Sequence, residues 1–515
     1  MECSINGYNK VDIVIMLLFL IVPFILLIPY INVPLLDDGV YYTEISEKIS
    51  KNWPDLTGKA TDGATIVFDL PPIFPLMGAF FVALSDNPLT AMRMMNAMML
   101  GITLFMVFII SRRLGISRKL SICAPLLMLT NPFFFQFTSG LFVLTESTSM
   151  VFLLLGIHAF FFGKPKYKHI TSSVFFVLAV FTRYMSIFII APFLLYYLIK
   201  LFKEKKKTRS VVFMLIIVIP IIFWVAMAAI YGSPEERKYN INDEKISISK
   251  IIMEFPRTFM INTIITPLLT FLFINLFIIP KIYLSILRAL KRTKPYKKLN
   301  WLFEDNVKDK YSIIILLVIA LYSLSTSLAM FLITTTKVEY SLVYIISRTR
   351  FFIVAMPLII ILGMIFMRYD LRTRKLKLFF NAALVTSLAL STIICITLNS
   401  GYVQDRLDGL SYIENTYVKR NYHRTQALEW FDNKLENKRV GIFFMEPVQG
   451  DSGINIFSEH YLKKNSVSKT GLEYVITDEF FLTEKGVIEM CGNKDYSLIY
   501  STESPAAYVF NCING

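Results

Sequence analysis

The chain has 515 residues, of which 55% are hydrophobic, 14% aromatic and only 18% charged, with a mean hydropathy of +0.55. Soluble globular chains have roughly 45–50% apolar and about 25% charged residues, and water-soluble cores stop growing near about 250–300 residues. A soluble enzyme, a disordered chain and a secreted disulfide scaffold are therefore excluded, leaving a polytopic membrane protein. The formal charge of +15 would point to nucleic acid on a soluble protein, but its distribution along this chain has another meaning.

Apolar runs of about 17–25 residues, each long enough to cross roughly 30 Å of hydrocarbon, recur along the first four fifths of the chain. Residues 11–31 form the first predicted span. No small-residue cleavage site follows it, so it reads as an uncleaved helix. A long loop over 32–90 precedes the span 91–111. Further spans are predicted near 119–138, 142–162, 170–183, 185–202, 210–231, 261–280, 311–334, 350–367 and 378–398. The total is about eleven. If 170–183 and 185–202 instead form one re-entrant hairpin, the later loops keep the same sides.

Alternate loops on one side carry 28 Lys+Arg against 7 Asp+Glu, while the side holding 32–90 carries 13 against 15 up to residue 399. Cytoplasmic loops hold the Lys/Arg excess. The N-terminus is therefore expected in the cytoplasm and the tail outside, with a multi-pass location in the cytoplasmic membrane. The positive charge orients the chain in a lipid bilayer, and no nucleic-acid partner is expected.

After Asn399 the composition becomes that of a soluble domain, so the chain divides into a membrane part, 1–399, and an extracytoplasmic part, 400–515. Ala427, Leu428, Phe431 and Leu435 predict an amphipathic helix over 424–437. β-like runs follow at 439–445, 473–478, 497–502 and 506–513. Such a length suits a small α/β domain. The expected fold class is thus an all-α polytopic membrane domain followed by a small α/β domain. Cys491 and Cys512 lie where oxidation is permitted, either as a disulfide or as two buried thiols.

Reactive groups concentrate at the predicted external ends of the spans. Asp37-Asp38-Gly39-Val40-Tyr41-Tyr42 follows the first span. Two adjacent carboxylates repel and one pKa can rise, which suits a general base or a metal ligand; a solvated helix cap is the alternative. Glu146 sits in an otherwise apolar run, where an ionisable group costs about 2.5–3.5 kcal/mol at the bilayer centre and less near the edge. It is expected to face the protein interior, or else to reach the interface. Arg93, Arg183, Arg348 and Arg350 lie on the same side, against the positive-inside trend. Arginine's planar fork suits phosphate, with interfacial snorkelling the alternative for each. His158 and His169 have no partner at ligand spacing, so no zinc site is indicated. No Gly-rich phosphate loop is present.

Taken together, these pieces resemble the GT-C glycosyltransferases, polytopic enzymes that take sugars from polyprenyl-phosphate carriers and include protein O-mannosyltransferases and lipid A aminoarabinose transferases. The resemblance rests on the acidic pair Asp37-Asp38 with Gly39 and Tyr41-Tyr42, then on Pro71-Pro72-Ile73-Phe74-Pro75-Leu76. It continues through Ala91-Met92-Arg93-Met94-Met95-Asn96 at the second span, Glu146 as a second acidic position, and Arg350 to Pro357 at a late span. It covers 1–400. The short segment 232–260 leaves no room for the MIR-type insert of the mannosyltransferase subgroup.

The resemblance implies a GT-C-type membrane domain in which an acceptor hydroxyl attacks C1 of a sugar on a lipid phosphate, with inversion. Asp37 or Asp38 would take the proton. Arg350 and Arg93, with Arg348 and Arg183, would bind the phosphate near Tyr41 and Tyr42. Glu146 would orient the acceptor or, with Asp38, hold a divalent metal ion. The implied partners are a polyprenyl- or dolichyl-phosphate sugar and a glycan, lipid or protein acceptor. The competing function is a transporter or lipid-linked-glycan flippase, which predicts ionisable groups near the midplane and an internal repeat; neither is found in the sequence.

Overall fold

The structure is a computed structural model that describes residues 9–28, 31, 38–51, 71–85, 87–131, 134, 138, 143–164, 166–203, 208–231, 353–369 and 374–408, and in the tail 426–427, 430, 440–443, 474–478, 496–502 and 507–512. The spans expected at 261–280 and 311–334 lie outside these residues. So do Asp37, Arg348 and Arg350.

The helical part runs α1 (Lys10–Leu27), α2 (Asp38–Lys51), α3 (Ile73–Val82), α4 (Pro88–Arg113), α5 (Arg118–Leu129), α6 (Glu146–Phe162), α7 (Lys168–Thr182), α8 (Ile187–Lys203), α9 (Thr208–Tyr231), α10 (Met356–Tyr369) and α11 (Arg374–Asp408). By length and composition α1, α4 and the stretch Thr208–Met227 of α9 are long and apolar enough to cross a membrane. Helices α5 to α8 and α10 are apolar and shorter. The long loop 32–90 thus contains two helices, α2 and α3. Helix α11 continues through the expected domain boundary at 399 and ends only at Asp408.

Helix α4 is the central element. Its most apolar window is 72% buried, against 28% for α1 and 17% for α9, and it packs against α1, α2, α3, α5, α6 and α10. Its start is well specified: Pro88 occupies the first turn and the Asn87 side chain accepts a hydrogen bond from the Thr90 N–H at 3.0 Å. Both features satisfy or remove amide donors that a helix start leaves unpaired. Arg112 and Arg113 in the last turn complement the helix dipole. Where α1 crosses α4, a Cβ on Gly101 would lie 2.8 Å from the Leu20 carbonyl oxygen. In lipid, where burial gives little drive for association, small residues of this kind let backbones approach and pack. Helices α6 and α7 form an antiparallel hairpin with a similar contact, Gly156 lying against the Phe176 ring.

In the tail, strands β1 (Val440–Phe443), β2 (Tyr474–Asp478), β3 (Tyr496–Ser501) and β4 (Ala507–Cys512) form one sheet in the order β1-β2-β4-β3. β1 and β2 are parallel, and β4 is antiparallel to both its neighbours, with Val475 opposite Phe510 and Leu498 also opposite Phe510. Val475, Ile476, Val509 and Phe510 are buried. β1, β2 and β4 fall within their expected runs, and β3 is shifted by one residue from the expected 497–502. Residues 426, 427 and 430 of the expected amphipathic helix are helical. Cys512 is disulfide-bonded, while Cys491 lies outside the described residues.

Candidate functional site

The site is built at the end of the bundle where α2 and α3 cover the start of α4. Helix α2 begins at Asp38, with Tyr41 its fourth residue. Tyr42, Ile45 and Ile49 are buried at helical spacing along it, and α2 packs against α3 and α4. The Tyr42 ring meets Phe74 edge-on at 5.0 Å. Between them α3 lies close to its neighbours: a Cβ on Gly78 would come within 2.3 Å of Ser46 Oγ and 2.5 Å of Met92 Sδ. Tyr42 and Phe74 share one apolar cluster with Met92, Met95 and Val143. This cluster joins the helix that starts with the acidic pair to the start of α4 and the lead-in to α6.

The two described arginines of the candidate set do not snorkel. Arg93 is fully buried, and its Nη1 donates to the Ile31 carbonyl at 2.6 Å, tying the end of the first span to α4. Arg183, in extended backbone after α7, donates through Nη1 to Glu146 Oε1 at 2.7 Å and to Thr145 Oγ1 at 3.1 Å. The side chains are 9% and 0% exposed. Two charges removed from water are tolerable only as a well-bonded pair, and removing one partner of such a pair costs about 3–5 kcal/mol.

Glu146 is the first residue of α6 rather than a residue a few positions inside a span beginning at 142. The reason is local. Val143 has φ +50°, a left-handed conformation that β-branched residues rarely adopt, and it turns the chain immediately before the helix. A carboxylate in the first turn also faces the positive end of the helix dipole.

Three contacts hold this turn. The Asn96 carboxamide on α4, with its oxygen and nitrogen oriented as the surrounding donors and acceptors require, accepts from the Leu144 N–H at 2.9 Å and donates to the Leu144 carbonyl at 3.2 Å and to Ser147 Oγ at 3.0 Å. Thr103 Oγ1, bonded to the Met99 carbonyl at 2.9 Å, also lies 3.4 Å from the Ser147 carbonyl. Ser149 Oγ meets Ser186 Oγ at 2.6 Å across to the elbow between α7 and α8. Thr145, Glu146, Ser147, Thr148 and Ser149 are all buried. Of these residues only Glu146 stands out from the sequence as a site candidate. Five consecutive polar residues interrupting an apolar run were the available signal.

The structure therefore brings Glu146 and Arg183 into contact, while Arg93 bonds Ile31 and Tyr42 packs in the cluster that includes Val143. Among the described residues no group of three or more His, Cys, Asp or Glu stands together. Glu146 Oε1 is already engaged by a guanidinium, so the described residues form no ready cage for a divalent cation. Chemically, the arrangement offers buried guanidinium groups at the end of the bundle where α2 begins at a carboxylate. An anion bound there would meet fixed donors at low dielectric.

Residues 69–224 match the family model described as dolichyl-phosphate-mannose-protein mannosyltransferase, a range that contains Arg93, Glu146 and Arg183. Among solved structures, the fold is similar to that of ArnT from Cupriavidus metallidurans in the apo state, with TM-score 0.55 and 11% identity over 98% of this chain and 99% of that one. The same enzyme bound to undecaprenyl phosphate gives TM-score 0.51 and 11% identity over 99% of both chains. The archaeal oligosaccharyltransferase AglB from Archaeoglobus fulgidus, in complex with an inhibitory peptide and a dolichol-phosphate, gives 0.41 and 12% identity over 97% of this chain and 74% of that one. No protein of curated function matches the sequence significantly. The GT-C resemblance carried by the motifs is thus met both by a sequence family and by a fold.

Proposed function

We propose that this chain, whose fold and family match are those of a GT-C membrane glycosyltransferase, transfers a hexosyl or pentosyl group from a polyprenyl- or dolichyl-phosphate carrier to an acceptor hydroxyl on the extracytoplasmic face. The observation that carries this reading is the buried Arg183–Glu146 pair, together with the fully buried Arg93 on α4 and with α2, which starts at Asp38 and packs on α3 and α4. Among the described residues, buried charged side chains lie at helix ends rather than at mid-span. A transferase acting at the membrane surface needs that placement, whereas a transporter needs ionisable groups near the midplane.

In this reading the acceptor oxygen attacks C1 while the bond from C1 to the phosphate oxygen breaks, inverting the configuration. The hydroxyl proton passes to the Asp37 carboxylate, a general-base contribution of about 10²–10⁴-fold. The electron pair leaves with the carrier phosphate. Arg183 and Arg93, together with Arg350 and Arg348 from the late span, stabilise that anion; each preorganised donor of this kind contributes about 2–4 kcal/mol. Asp38, Tyr41 and Tyr42 shape the acceptor side. The acceptor is a glycan, lipid or protein hydroxyl. A divalent ion, if bound, would draw on Asp38 and Glu146.

The test uses membranes containing the chain and radiolabelled polyprenyl-phosphate sugars of several kinds. Transfer of label from at least one donor to a water- or lipid-soluble acceptor is expected. Unchanged donors across the panel, with the folded chain present, overturn the proposal.

A further inference from the structure

We infer that Asn96 is a positioning residue, which sets the Glu146–Arg183 pair through the backbone of the turn before α6. The inference rests on the proposed carrier-phosphate role of Arg183. Its geometric basis is the complementarity of one side chain to one peptide unit. The Asn96 oxygen accepts from the Leu144 N–H at 2.9 Å, and its nitrogen donates to the Leu144 carbonyl at 3.2 Å and to Ser147 Oγ at 3.0 Å. A side-chain amide can both donate and accept. Asp has no donor for the carbonyl, and Leu has neither group. Asn96 therefore binds the backbone on one side of Thr145 and Glu146 and a side chain on the other, clamping the two residues that Arg183 bonds at 3.1 and 2.7 Å.

The clamp is placed where the backbone needs it. Val143, with φ +50°, holds a conformation that persists only when surrounding contacts over-determine it. Asn96 itself is fully buried and lies three residues after Arg93, on the same face of α4. One helical turn thus carries an arginine bonded to the end of the first span and an amide bonded to the turn that presents the second arginine's partner. A displacement of about 1 Å at such a turn is enough to cost a large factor in a step that depends on alignment.

The experiment is a double-mutant cycle on the full-length chain in detergent, with undecaprenyl phosphate as the probe. Asn96→Leu keeps roughly the volume and removes all three bonds. It is expected to weaken binding about tenfold, as is Arg183→Lys, and the double variant is expected to bind no more weakly than either single one. If Asn96 only supports packing, the two losses multiply to about 100-fold, which overturns the inference. Undiminished binding by Asn96→Leu also overturns it.

Should Asn96→Leu fail to fold, Ser147→Ala removes a single acceptor of the clamp. About threefold weaker binding is then expected with Arg183 present and no further loss with Arg183→Lys; the same fold-loss in both backgrounds, or no loss with Arg183 present, overturns the inference. A wild-type chain that binds no undecaprenyl phosphate instead sinks the carrier reading of the proposed function. The coupling is then read from thermal unfolding of the same four proteins, where shifts that simply add overturn the clamp and a smaller combined shift supports it.

Discussion

The bundle buries two carboxylates against arginines, one at each end of α4, and the two are built differently. At the site end, Glu146 and Arg183 are 0% and 9% exposed, and both belong to the first or last residues of helices in a single hairpin. At the basic end, Asp12 is 2% exposed, but its partners Arg118 at 2.8 Å and Arg112 at 3.7 Å keep 37% and 26% of their side chains in contact with solvent. Asp12 also closes a capping box with Asn9 at the start of α1. The Asp12 cluster ties three helix ends together and lets its guanidinium groups stay wet. The Glu146 pair keeps both charges in a dry site, an arrangement that is costly unless it is bonded and useful where charge develops during a reaction.

Several measurements can break or sharpen that contrast. The largest effect belongs to Asp37→Asn, which is expected to lower transfer by about 10²–10⁴-fold while leaving undecaprenyl phosphate binding intact, because the base acts on the acceptor. Full transfer by this variant removes the base assignment. Next is Glu146→Ala, which leaves the Arg183 guanidinium buried without its carboxylate. A loss of about 3–5 kcal/mol is expected by denaturant or thermal unfolding, and the loss should be insensitive to added salt because the pair is out of reach of mobile ions.

Arg350→Ala should cost about 2–4 kcal/mol of transition-state stabilisation in donor turnover, with Arg350→Lys intermediate since it keeps charge and loses the fork. A fully active Lys variant would reduce Arg350 to a headgroup anchor. The smallest effect is expected from Asp12→Asn: about 1 kcal/mol of stability, shrinking further as salt rises, with transfer unchanged. A loss as large as that of Glu146→Ala would erase the distinction between the two ends. Sidedness is read separately, by cysteine labelling. Positions Asn52 and Asn433 should react from outside the cell, and Thr293 only after permeabilisation.

Much of the helical frame was legible in the sequence because a bilayer imposes a length on every apolar run. Each expected span that falls in the described region has a helix within it, and all four strands of the tail coincide with β-like runs. Boundaries were less legible. The expected span at 142–162 begins as a helix only at Glu146, since hydropathy does not register the left-handed turn at Val143. Helix α11 runs on to Asp408, past the point where the apolar residues stop and where hydropathy no longer marks it.

At the site, Glu146 and Arg183 were identifiable singly as charges in apolar surroundings. Their pairing was not legible, because 37 positions separate them and only the α6–α7 hairpin closes that gap. Asn96 was visible as part of a motif, while its role required seeing which peptide unit its amide meets.

That hairpin also bears on how the chain enters the membrane. Glu146 at the start of α6 and Arg183 just after α7 reach the same end of the pair only when both helices are present and antiparallel. Offered to lipid one at a time, each helix brings an ionisable group whose insertion costs about 2.5–3.5 kcal/mol at the centre of the bilayer and less near its surface. Delivered together, with Gly156 allowing the Phe176 ring close against α6, the two charges meet each other before they meet hydrocarbon. The same contact would then let α6 and α7 enter the bilayer as a unit, and a chain whose synthesis stalls between them would leave Glu146 without its counter-ion.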